Sequence, residues 1–264
     1  MANITHDEVS IFFDDAGRGR PVVMLHGHTL DGRVFDEVVA RLEPAKHRII
    51  RPDLRGHGRS SRPDAGYHWS HHAADVRAVM AAAGLERALV LGFSIGGGVA
   101  LELAVTSPEL VSGLVLVSPV LPDRPFEPDF MANLKAVAKT ARSEGIAEAM
   151  RGPWMESPLL ATSFEKPGVK EKTEAIVVDF PGAEYLATSR DAVERNWKMP
   201  ERLSKIAAPT VVMAGARDMP GFRAFADEIA AAIPGAKLDV VEDAGHLLPL
   251  EVPERVAAVV ARMI

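Results

Sequence analysis

Residues 88–118 hold three consecutive elements with little slack between them. ALVLG (88–92) is a short apolar run closed by glycine, 95–106 reads as a helix, and GLVLVS (113–118) is an apolar run again. A strand, a helix and a strand in this order form a βαβ unit. Such units build parallel sheets, which need helices on both faces. The same alternation extends in both directions. VSIFF (9–13) and PVVML (21–25) read as strands around the turn DDAGRGR, and HRIIRPD (47–53) as another. Residues 70–83 carry helical periodicity, with Ser70 as the expected N-cap and Gly84 just past the end. Near the C-terminus PTVVMAG (209–215) and KLDVV (237–241) read as strands, and 221–233 and 253–264 as helices.

The alternation stops after residue 118. PVLPDRPFEP (119–128) contains four prolines and cannot continue a regular element. Strand signals are absent from there to about residue 204, where helices such as 129–142 and 183–197 are expected between Pro and Gly breaks. Neither flank alone makes a plausible sheet. The expected organisation is therefore one α/β core, residues 1–120 and 205–264, interrupted by a helical insertion over 121–204.

A sharp strand-to-helix turn falls at GFSIG (92–96). A nucleophile on such a turn points out of the carboxyl edge of the sheet, and neighbouring backbone comes so close that only residues without a Cβ fit two before and two after it. Gly92 and Gly96 stand at those places around Ser94. Gly97 and Gly98 are expected to let the helix pack closely on neighbouring strands. A serine hydroxyl needs a base, and the base needs an orienting carboxylate. His246, in EDAGHLLPLEVP (242–253), follows the last strand, and Asp218, in AGARD (214–218), follows the preceding one. Asp218 has a competing role as a cap for the helix beginning near Pro220, and one side chain is not expected to serve both. The order Ser94, Asp218, His246 suits an α/β-hydrolase. The backbone N–H groups of Ile95, at the helix start, and His28, in MLHGHTLDGR (24–33), are the expected oxyanion donors.

Composition removes several classes of function. The chain has no cysteine, which excludes disulfides, thiolate metal sites and a Cys nucleophile. Its net charge of −6 argues against nucleic acid or an anionic membrane as partner. The polar start MANITHDEVS has no apolar signal core, and no run is long enough to span a bilayer, so a cytoplasmic protein is expected. The His26-x-His28 pair has no carboxylate at ligand spacing, and His71 and His72 belong to a helix start, so no metal is expected.

Five segments together are very specific: HGHTLDGRVFD (26–36), RPDLRGHGRSSRP (51–63), GFSIGGGVALELA (92–104), GARD (215–218) and DAGHLLPLEVP (243–253). With them the chain resembles the α/β-hydrolase superfamily over nearly its whole length, most closely the small capped bacterial carboxylesterases and 3-oxoadipate enol-lactonases. The resemblance implies a mostly parallel sheet flanked by helices and a helical cap inserted after the sixth strand. It also implies a Ser94–Asp218–His246 triad and an oxyanion hole near His28 and Ile95. Epoxide hydrolases and haloalkane dehalogenases of this fold carry Asp where this chain has Ser94. In this superfamily the stretch holding Arg55, His57 and Arg59 is usually a structural loop.

The expected activity is cofactor-free hydrolysis of a small to medium acyl or aryl ester, with water as second substrate, by a monomer or homodimer. Enol-lactone opening and hydrolytic C–C cleavage use the same triad. Perhydrolysis or haloperoxidation, and a receptor role with vestigial turnover, are further readings. The insertion carries Phe126, Phe130, Trp154, Phe164, Phe180, Tyr185 and Trp197 with several methionines, and a minority of these should face an apolar pocket. Val120, Leu121, Trp154 and Leu247 are the candidate substrate contacts.

Overall fold

The computed structural model describes residues 2–187 and 198–264. Eight strands form one sheet: β1 (Ala2–His6), β2 (Val9–Gly17), β3 (Arg20–Leu25), β4 (His47–Pro52), β5 (Ala88–Phe93), β6 (Val111–Val117), β7 (Thr210–Gly215) and β8 (Lys237–Val241). Their spatial order is β1-β2-β4-β3-β5-β6-β7-β8. The β1–β2 and β2–β4 pairs are antiparallel, and every pair from β4 to β8 is parallel. The central strands are apolar on both faces, as a sheet covered on both sides requires: β5 is buried at every position. β1 is an addition to the expected set. Its sequence, ANITH, is polar and mostly exposed on the sheet edge, so no burial pattern marks it.

The longer helices are α1 (Trp69–Ala82), α2 (Ile95–Thr106), α3 (Pro128–Ser143), α4 (Val169–Val177), α5 (Pro220–Ala232) and α6 (Pro253–Met263). α1 begins one residue earlier than expected, and its N-cap is His68 rather than Ser70. His68 has extended backbone, and its side chain accepts from the Ser70 N–H, the task expected of the serine. Gly84 follows α1 with a φ of 66°, the left-handed value that glycine adopts without penalty. Gly97 packs closely on Gly92 of β5 and on Pro119, while Gly98 meets the Trp69 ring of α1 rather than a strand.

Between β6 and β7 every described element is helical, with α3, α4 and several single turns including Ala183–Leu186. In place of the continuous helix expected over 183–197, this turn ends at Leu186, where Ala187 leaves the helical region with ψ 129°; residues 188–197 lie outside the described residues. Among the described residues, no helix is long and apolar enough to cross a membrane.

The strand order fixes the place of a site. β3 lies between β4 and β5, so successive connections leave it in opposite directions. A crevice opens at such a switch point beyond the carboxyl ends of the strands. Leu25 ends β3 and Phe93 ends β5.

Candidate active site

Ser94 occupies the turn between β5 and α2 with φ 53° and ψ −117°. This is a costly conformation for a residue with a Cβ, and it persists only where the surroundings impose it. The Ser94 N–H donates to the Val117 carbonyl at 3.0 Å, and the Ser94 carbonyl accepts from the Val120 N–H at 3.0 Å, so the end of β6 and the segment after it hold the turn from both sides. A Cβ on Gly92 would collide with the Gly96 carbonyl, and one on Gly96 with the Leu25 carbonyl. The glycines two before and two after the serine are therefore required by backbone contact.

The structure brings Ser94, Asp218 and His246 together. His246 Nε2 lies 3.0 Å from Ser94 Oγ, and His246 Nδ1 lies 2.8 Å from Asp218 Oδ2. All three are buried. With the Nδ1 proton donated to the carboxylate, Nε2 is left to accept from the serine. Of the two roles weighed for Asp218, the structure fills the orienting one: its Oδ2 takes His246. It does not cap α5, whose N-cap is Met219 with no side-chain cap; Asp218 Oδ1 accepts only from the N–H of its neighbour Met219, at 2.7 Å. Phe222 and Phe93 pack on the imidazole, with ring centroids 4.6 and 5.4 Å away.

A clamp that the sequence did not reveal holds the His246 loop. The Gly245 N–H donates to Glu251 Oε2 at 2.8 Å, and the Leu247 N–H donates to Ser163 Oγ at 3.0 Å. Ser163 in turn donates to Glu251 Oε1 at 2.6 Å. The two N–H groups flanking His246 are thus fixed from one carboxylate, and one of them passes through the helical insertion. No local motif announces this link, because Ser163 and Glu251 are distant in sequence.

Ser94 and His246 open onto a cavity of about 400 Å³, lined also by Gly27, His28 and Ile95, with Asp218 behind the imidazole. Ile95 is the first residue of α2, where N–H groups have no intrahelical acceptor. Of the expected contacts, Val120, Trp154 and Leu247 line the cavity. Leu121 does not. The chain turns back after Val120, with the Arg124 N–H on the Leu121 carbonyl, and the Leu121 side chain is fully buried in the core. Phe126, Phe130, Trp154 and Tyr185 supply aromatic surface from the insertion. Trp197 lies outside the described residues.

One end of the cavity is polar. His28 Nδ1 lies 2.8 Å from Glu184 Oε1, and His28 Nε2 lies 2.7 Å from the Tyr185 hydroxyl. Burial works to raise the Glu184 carboxyl, but His28, facing it as charge and hydrogen-bond partner, outweighs burial and holds it down at about 2. Burial, and then neighbouring Glu184, push the Tyr185 hydroxyl up. Burial pushes His72 down to about 4, with Arg55 adding to the effect. Burial also pushes His57 down to about 3, aided by His26. His26 is not paired with His28 as a ligand. Its Nδ1 donates to the Gly27 carbonyl and its Nε2 accepts from the Leu54 N–H, both at 2.8 Å. Within the 55–59 stretch the two arginines are structural: Arg55 forms a buried bidentate pair with Asp75, and Arg59 lies over the Phe12 ring beside Asp53.

A family model described as the alpha/beta hydrolase family matches residues 22–259, and the chain belongs to that family. Among curated relatives it is similar to the AB hydrolase superfamily protein YisY of Bacillus subtilis. The two are 29% identical over 260 residues, covering 98% of this chain and 96% of the relative. Among solved structures it is similar to Est816, described as an N-acyl homoserine lactone degrading enzyme, with 30% identity, full coverage of both chains and a TM-score of 0.78. It is also similar to a thermophilic esterase from Thermogutta terrifontis, with 28% identity, coverage of 99% and 97%, and a TM-score of 0.79.

Proposed function

We propose that this protein is a serine hydrolase that cleaves a small to medium carboxylic ester through an acyl-enzyme. The observation that carries the reading is the continuous chain from Ser94 Oγ through His246 to Asp218, at 3.0 and 2.8 Å, on the wall of a largely apolar cavity. In this reading His246 takes the Ser94 proton as Oγ attacks the ester carbonyl, and Asp218 holds the imidazole and stabilises its charged form. The N–H groups of His28 and Ile95 receive the oxyanion, where the loss of one donor costs about 10²–10³ in rate. His246 then protonates the leaving alkoxide, and water repeats the cycle on the acyl-enzyme. The helices of residues 121–204 act as the cap that shapes the acyl pocket.

Lactone opening is the second reading. It uses the same triad, and it is favoured by the 30% identity over the full chain with a lactone-degrading enzyme. A panel of p-nitrophenyl esters of rising acyl length, run beside acyl lactones with wild type and Ser94→Ala, tests both. Ester turnover that peaks at one chain length and is lost in Ser94→Ala supports the esterase. Preference for lactones moves the reading to the second. Inertness toward both classes overturns the proposal.

A further inference from the structure

The polar end of the cavity contains more electron-pair donors than hydrolysis needs. We propose that His28, His57 and Glu184 form a binding site for a zinc-type divalent cation in the cavity wall. One ligand atom from each of the three lies within 4.8 Å of the others. Glu184 comes from the Ala183–Leu186 turn of the insertion, while His28 and His57 come from loops of the core. The carboxylate missing beside the histidines in the sequence is therefore delivered by the fold.

His57 is the observation that points to a ligand. The residue is 1% exposed, and among the described residues its Nε2 has no hydrogen-bond partner. Its Nδ1 lies 3.1 Å from the Arg55 carbonyl, which fixes the proton on Nδ1 and leaves an in-plane lone pair on Nε2. A buried polar atom left unpaired is costly, so its retention asks for an occupant. Without a cation, His28 Nδ1 faces Glu184 as a donor at 2.8 Å; a bound cation takes the place of that proton in the other tautomer, whose Nε2–H is donated to the Tyr185 hydroxyl. Metal-binding imidazoles characteristically donate their second nitrogen to an oxygen in this way. Phe180 packs beside both rings, with centroids 5.5 and 5.1 Å away, and supplies an apolar shell.

Two imidazoles and one carboxylate suit Zn²⁺ or Co²⁺ rather than Mg²⁺ or Ca²⁺, which prefer all-oxygen sets. The set also has an entry path. The Glu184 side chain is 31% exposed, and His28 and Glu184 line the cavity while His57 closes the back. A four-coordinate zinc would keep one position free on the cavity side for water or a donor atom of a pocket ligand.

The test is direct binding to chelator-stripped protein, so it does not depend on the hydrolytic reading. Zn²⁺ is titrated in competition with a chromophoric chelator, and Co²⁺ is followed by its visible d–d bands. The expected result is one equivalent bound per chain with a Kd of about 1 μM or tighter. Glu184→Gln and His57→Gln should weaken it more than about 100-fold, and Tyr185→Phe, which removes only the partner of His28, by about 10–100-fold. Glu184 sits at the solvent side and decides the matter if His57→Gln fails to fold. Absence of saturable binding, or binding that Glu184→Gln leaves unchanged, overturns the proposal.

Discussion

Asp218 shows how much one side chain carries in this site. One of its oxygens holds His246 and the other holds Met219 at the entrance to α5. Asn in its place has a single acceptor oxygen. If that oxygen keeps Met219, the amide NH₂ faces His246 Nδ1, and the imidazole must place its proton on Nε2. It then points a proton at Ser94 and cannot act as base. Asp218→Asn should therefore fold with an unchanged melting temperature and lower kcat by about 10⁴. Steady-state kinetics on the best ester of the panel checks this, and a loss below about tenfold would assign the orienting role elsewhere.

At the scale of elements, what was legible in the sequence follows from burial. β3, β5, β6 and β7 are apolar on both faces and bounded by turns, so their composition alone marks them. The Ser94 turn was legible because close backbone contact admits only glycine at residues 92 and 96. Asp218 and His246 were legible because each follows a strand near the C-terminus. β1 was not, since an exposed edge strand needs no apolar pattern. The cap of α1 was misplaced because histidine can accept a helix N–H and is not a usual cap residue. Position after a strand points Leu121 to the pocket, but side-chain direction there is set by the turn that follows, which buries it in the core. Glu184, Ser163 and Glu251 carried no signal, because each acts on a segment far away in sequence.

For the whole molecule, the buried histidines set the response to acid. Burial comes first in pushing His26, His57 and His72 below the ordinary value of 6.5, to about 3 for His57 and about 4 for His72. Unfolded, each takes up a proton as the pH falls through 6.5, while the folded form stays neutral. The unfolded state then binds more protons, so stability rises with pH across this window and is lost toward acid. Each such group contributes a slope of up to about 1.4 kcal/mol per pH unit. Glu184, held down to about 2 from 4.5, adds a loss of the same sign at lower pH. Urea midpoints should fall clearly between about pH 8 and about pH 5, and His72→Leu should flatten that dependence. Equal midpoints at both pH values would show that these rings are not held neutral.

The direct measurement of the central claim is rapid mixing of the enzyme with p-nitrophenyl acetate, quenched in acid and followed by peptide mass analysis. A burst of one p-nitrophenolate per chain, with a single acetyl group on the peptide carrying Ser94 and none in Ser94→Ala, is the predicted result. Acetylation of another residue, or wild-type turnover surviving in Ser94→Ala, would contradict it.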